Sequence, residues 1–158
     1  MVKFVEKLMK IVEILLTACL SVSVFVVILQ VFFRYVLKDP IGWSEQISRM
    51  LFIWMVMLGI PVLFNRNNVM QFDLISTSLP VKVQHFLHIL FNAIGIAFFA
   101  FYLRYAVQIC VEMLGRFTSG VPIPFWALYG PQAVCATLTI FVLIKRLILE
   151  VQKIKGGN

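Results

Sequence analysis

The stretch ILLTACLSVSVFVVILQVFF, residues 14–33, runs for 20 residues without a charge. About 20 apolar residues, wound as a helix, cross the hydrocarbon core of a bilayer. Arg34, Tyr35 and Lys38 close the run. The stretch therefore reads as a membrane span, and the rest of the chain fits that frame. Of 158 residues, 61% are hydrophobic and only 13% charged, against about 25% charged in a soluble domain. A soluble fold of this length has too little interior to hide such a surface. The N-terminal region could pass for a signal peptide, but its apolar run exceeds the roughly 7–15 residues of such a segment. It is expected to stay as the first span.

Three further runs follow. Residues 50–64 lie between Arg49 and Arg66 and are short for a span, so the second helix is expected to start at Ser44 and end at Asn65. Pro61 inside it is expected to kink the last turns. The third run lies between Lys82 and Arg104. Arg104, Gln108 and Glu112 then recur every four residues, so this helix is expected to continue beyond the membrane. Residues 126–144 form the fourth run, with Pro131 near its start. The expected fold is all-α, one membrane domain over residues 1–158 with four transmembrane helices at about 12–36, 44–65, 83–114 and 125–147.

Four spans put both termini on one side. That side carries Lys3, Lys7, Lys10, Arg66, Lys82, Lys145, Arg146, Lys153 and Lys155; the other carries Arg34, Lys38, Arg49, Arg104 and Arg116. The excess places both termini in the cytoplasm by the positive-inside rule. The same bias accounts for the net charge of +7. It points to lipid head groups rather than nucleic acid, and the basic tail is expected to lie along them. Cys19, Cys110 and Cys135 sit in apolar runs with no paired spacing, so neither a disulfide framework nor a zinc site is expected.

Between the first two spans lies DPIGWSEQISR, residues 39–49. Asp39, Pro40 and Gly42 are turn residues. Trp43 suits the membrane interface, where its ring is buried and its N–H wet. Ser44 is a good N-cap and Glu45 suits a first helical turn. Glu45 and Arg49 are four apart and can pair on one face. A capped interfacial turn explains these residue types; a docking surface for an extramembrane partner would use them too.

The longer stretch FRYVLKDPIGWSEQISRMLFIWMVMLGIPVLFNRNNVMQFDLI, residues 33–75, resembles the small membrane subunit of tripartite ATP-independent periplasmic (TRAP) transporters, the DctQ-like family. The resemblance rests on Arg34-Tyr35-Val36, Pro40, Trp43-Ser44-Glu45, Leu58-Gly59, Arg66 and Phe72-Asp73, in that order. Gln46 stands where the family often has a second Glu, and Asn67-Asn68 where it often has Gly. The resemblance implies a bacterial inner-membrane scaffold that braces a large multi-span subunit, one to one, in sodium-coupled uptake of an organic acid such as sialic acid or a dicarboxylate. A periplasmic substrate-binding protein would deliver the acid. Arg66 and Asp73 would then mark the cytoplasmic turn.

The chain's own chemistry fits a scaffold. Its seven acids all fall at or near expected span ends or loops, whereas proton relays and cation sites place acids inside spans. No internal repeat appears, unlike a complete secondary transporter. His85 and His88 raise a haem-anchoring alternative, but axial ligation needs histidines on different helices and there are no others. No nucleophile–base pair, phosphate loop or metal cluster can be assembled, so neither enzyme activity nor a cofactor is expected. The alternative reading is an accessory or anchor subunit of another inner-membrane complex, a tricarboxylate-type tripartite carrier or a respiratory complex. On the outward face Arg34, Lys38, Asp39 and Arg116 are candidates for docking the binding protein, through complementary charge. Phe25, Phe32, Phe52, Trp54, Phe98, Phe99 and Phe101 are candidates for contact with the large subunit.

Overall fold

The computed structural model describes residues 2–38, 42–66, 81–117 and 123–155. Asp39, Pro40, Phe72, Asp73 and the Asn67-Asn68 turn fall outside them. Four long helices make up the described chain: α1 (Val2–Phe32), α2 (Gly42–Asn65), α3 (Val81–Glu112) and α4 (Phe125–Lys155). A π-helical turn, Phe33–Leu37, continues α1. Three segments, Phe4–Leu37, Gly42–Asn65 and Val83–Glu112, are long and apolar enough to cross a membrane.

α1 begins ten residues before the expected span. The reason is visible in its spacing. Val5, Met9 and Val12 recur at helical intervals and pack on Val142 of α4 and Leu58 of α2. The charges between them made this segment read as a polar flank; it is an amphipathic continuation of the span. α2 begins at Gly42, so Ser44 lies inside the first turn, 2% exposed, instead of capping it. α2 runs on through Pro61 and α4 through Pro131.

The helices lie side by side in the order α1, α2, α4, α3, with the inner end of α1 also touching α4. α4 is thus central, and its composition shows why. Ala127, Pro131, Cys135, Ala136 and Thr139 are buried at intervals of about four residues. Small residues in that pattern let neighbouring helices approach closely, which is how helices associate where hydrophobicity gives no driving force. Thr139 and Thr137 return their hydroxyl hydrogens to carbonyls one turn back, at Cys135 and Ala133. Gly95 of α3 serves the same approach, since a Cβ there would stand 3.1 Å from Leu143 Cδ1.

Cross-helix contacts fix the register. Leu16 meets Gly59 and the Ser48 hydroxyl reaches Gln30, so α1 and α2 are antiparallel. Trp54 Nε1 donates to the Ala127 carbonyl at 3.0 Å and Lys145 Nζ to Asn65 Oδ1 at 3.3 Å, so α2 and α4 are parallel. Gly95–Leu143 and His85–Glu150 make α3 and α4 antiparallel. The start of α1, the end of α2, the start of α3 and the end of α4 therefore share one end of the bundle, called inner below.

Candidate functional site

Polar side chains gather at the two ends. At the inner end, Arg66 grips Glu13 with two hydrogen bonds, Nε to Oε1 and Nη2 to Oε2, both 3.0 Å. This fork-to-carboxylate geometry is the stronger form of ion pair. The carboxylate raises the Arg66 pKa further above its ordinary value, first through the hydrogen bond and then through charge. Sequence reading set Arg66 beside Asp73 in a turn and missed Glu13. The signal was there: opposite charges flank the first two apolar runs at the depth where an antiparallel hairpin brings them together.

Lys145 is the hub of the same end. It is only 9% exposed, donates to Asn65 and pairs with Glu6 at 3.2 Å. One ammonium group thus joins α4 to α1 and to α2. Farther in, His85 Nδ1 of α3 stands 3.3 Å from Glu150 Oε2 of α4, a contact that is an ion pair only with the imidazole protonated. A histidine so engaged, with His88 on the same helix, does not present the two-helix geometry that haem ligation requires.

The outer end is built differently. Arg49 pairs with Glu45 at 3.2 Å, one turn away on α2, with both side chains exposed. Gln108 donates to Glu112 at 2.9 Å, again within one helix. Arg34 lies over the ring of its neighbour Tyr35, 5.9 Å from the centroid. The π turn that carries Arg34 ends at Lys38, whose backbone is left-handed (φ 55°) and whose N–H donates to the Phe33 carbonyl. Left-handed backbone is uncommon outside glycine, and π turns recur at functional positions. Trp43, in the first turn of α2, is about half exposed.

Arg116 closes the α3–α4 connection. Its N–H donates to Met113, its carbonyl accepts from Phe125 N–H at 3.1 Å, and Phe117 bridges Pro124. Gly115 before it takes φ 79°. Arg34 and Lys38 belong to one edge of the helix row and Arg116 to the other, so the structure separates these docking candidates. Asp39 lies outside the described residues.

The aromatic candidates also divide. Phe25, Phe32, Phe52, Phe98 and Phe101 are exposed on helix faces. Trp54 is spent inside the bundle, on Ala127 and the apolar core. Phe99 packs edge-on against Phe64 of α2, ring centroids 6.0 Å apart. Those two are internal contacts.

Residues 23–153 match the family model described as the DctQ component of tripartite ATP-independent periplasmic transporters. The chain belongs to that family. It is 29% identical over 83 residues, 52% of this chain and 48% of the relative, to the sialic acid TRAP transporter small permease protein SiaQ of Vibrio cholerae. A Haemophilus influenzae protein, provisionally named a TRAP transporter small permease protein, is 36% identical over 77 residues, 49% of this chain and 46% of the relative. The sialic acid TRAP transporter permease protein SiaT of another Haemophilus influenzae strain is 31% identical over 85 residues, 53% of this chain and 13% of that longer protein. Over these matches the chain spans about half the length of the two small permeases. Family membership and the apolar helices make it a multi-pass membrane protein and a component of transport.

Proposed function

We propose that this chain is the scaffold subunit of a sodium-coupled TRAP transporter in a bacterial inner membrane, with four spans and both termini cytoplasmic. It pairs one to one with a large multi-span subunit that carries the substrate and sodium sites. The transported solute is an organic acid such as sialic acid or a dicarboxylate. Arg34, Lys38 and Asp39, with Arg116 at the far edge, help orient the periplasmic binding protein. The inner end, rich in Lys and Arg, faces the cytoplasm, and Trp43 and Trp126 mark the outer interface.

One observation carries the scaffold reading. Each of the five acids among the described residues has a partner within this chain: Glu6 with Lys145, Glu13 with Arg66, Glu45 with Arg49, Glu112 with Gln108 and Glu150 with His85. Carboxylates held this way are committed to structure. A cation or substrate site needs groups that await a ligand. The sialic acid names of two relatives support the solute class.

The test is capture of the tagged chain from native membranes in mild detergent. A large multi-span protein at one-to-one stoichiometry is expected. Recovery of this chain alone, or solute transport by this chain alone in liposomes, would overturn the reading. For docking, charge reversal at Arg34, Lys38 and Asp39 together is expected to lower uptake at limiting binding-protein concentration while the subunits still co-purify. Unchanged uptake at every concentration removes that role.

A further inference from the structure

Arg104 has no ion-pair or hydrogen-bond partner among the described residues, and its side chain is exposed. The register shows at what depth. Nine residues before it, Gly95 meets Leu143, two residues from Lys145 and the inner polar layer. Eight residues after it, Glu112 stands near the start of α4, where Trp54 reaches Ala127. At about 1.5 Å per residue, Arg104 lies roughly 13 Å or more from the inner polar layer and roughly 12 Å from Glu112, with the Gln108 amide one turn away at roughly 6 Å. The α2 residues at that depth, Trp54 to Pro61, are apolar. The final turns of α3, which the sequence alone sets beyond the membrane, thus stand level with the apolar middle of α2, across α4.

The direction is equally informative. Ala106 is buried in the bundle. Two residues correspond to about 200° of helix, so Arg104 faces away from the bundle. Helical side chains lean toward the N-terminus, which on α3 means inward, away from the outer head groups. An arginine side chain is too short to reach the inner polar layer by snorkelling, and its lean carries it away from Gln108 and Glu112. Around it lie Phe101 and Tyr105, 64% and 48% exposed, their rings 4.7 Å apart. Arginine among exposed aromatics is the composition of an interface centre. Charged groups at bilayer depth face protein or water and are paired there.

We infer that the α3 stripe of Phe101, Arg104 and Tyr105 packs against the large membrane subunit, on a transmembrane helix that offers a carboxylate to the Arg104 guanidinium. The inference rests on the scaffold reading and names the face that reading leaves open. The charge sets the partner's chemistry: an unpaired guanidinium at apolar depth is complemented by an acid, and lipid tails carry none.

Arg104→Leu makes the inference testable, because leucine suits lipid better than arginine does. Tagged wild type, Arg104→Leu and Arg104→Lys chains are captured from native membranes, and the co-purified large subunit is measured. Arg104→Leu is expected to recover at least about thirtyfold less, as for loss of one partner of a desolvated charge pair, and Arg104→Lys to retain most of it. A benzophenone side chain placed at Phe101 in the otherwise wild-type chain is expected to crosslink to the large subunit upon illumination. This second readout does not depend on how the Leu variant folds. Full recovery with Arg104→Leu, or a Phe101 adduct with lipid alone, overturns the inference and leaves the scaffold reading standing. Wild type that captures no large subunit overturns both.

Discussion

The two ends of the bundle use the same residue types in opposite ways. Inner-end pairs cross between helices: Glu13 to Arg66 joins α1 and α2, Glu6 to Lys145 joins α1 and α4, and His85 to Glu150 joins α3 and α4. The pairs that acids make at the outer end stay within one helix, as in Glu45–Arg49 and Gln108–Glu112. A pair that crosses helices fixes their relative position. A pair one turn apart steadies only its own helix. The inner end is thus closed upon itself. The outer half joins its helices through uncharged contacts only, Ser48 to Gln30 and Trp54 to Ala127, and leaves cations such as Arg34 and Lys38 exposed, as suits a surface that meets other proteins.

The sharpest way to break this contrast is Lys145→Glu. It sets a second carboxylate against Glu6 in a nearly enclosed position and removes the donor to Asn65. Glu6 is half exposed and solvent screens the pair itself, so the cost comes chiefly from a new charge enclosed without a partner at position 145. The expected outcome is a large drop in thermal unfolding temperature in detergent, or failure to accumulate in the membrane. A change no greater than that of a surface substitution would mean that the inner end is not closed by this residue.

Two glycines sharpen the contrast further. At Gly95 an added Cβ would meet Leu143 at 3.1 Å, whereas at Gly130, near the outer start of α4, nothing stands within 4 Å. Gly95→Val is expected to destabilise by about 1–3 kcal/mol through overpacking. Gly130→Ala is expected to be neutral or to stabilise by up to about 1 kcal/mol, since alanine restricts the unfolded chain and favours helix. Thermal melts of the two variants in one detergent decide the matter. Equal effects would erase the packing difference between the ends.

Much of this was legible in the sequence because charge-free runs report depth directly. The starts of α3 and α4 fall within two residues of the limits read from those runs. The Glu45–Arg49 pairing follows from a spacing of four. What escaped were facts that depend on neighbours. The first turns of α1 carry Lys and Glu between Val5, Met9 and Val12, and only α4 reveals which face counts. Glu13 and Arg66 meet because α1 and α2 pair antiparallel, a tertiary fact. Arg104 ends a charge-free run in the sequence, and only the register with α4 and α2 shows that it stands level with apolar residues of α2. Among the aromatic residues, composition could not tell Trp54 and Phe99, which pack inside, from Phe52 and Phe98, which do not, since bundle interior and lipid are equally apolar.

The smallest expected effect is the most direct measure of the contrast. Double-mutant cycles on Glu13–Arg66 and on Glu45–Arg49, with each residue changed to Ala, isolate the pairwise energy from other losses. Both outer side chains are well exposed, so that cycle is expected to give about 0.3–0.5 kcal/mol. The Glu13 side chain is only 29% exposed, and Arg66 holds it by two nitrogens. Its coupling is expected to be the larger, yet modest, because Arg66 itself faces solvent. Salt discriminates the two further: 0.5 M NaCl screens exposed pairs, so the outer coupling is expected to vanish while part of the inner one survives. If both couplings vanish together, the inner pair is a surface ornament of the α1–α2 hairpin, and the closure of that end falls to Lys145 and the packing around Gly95.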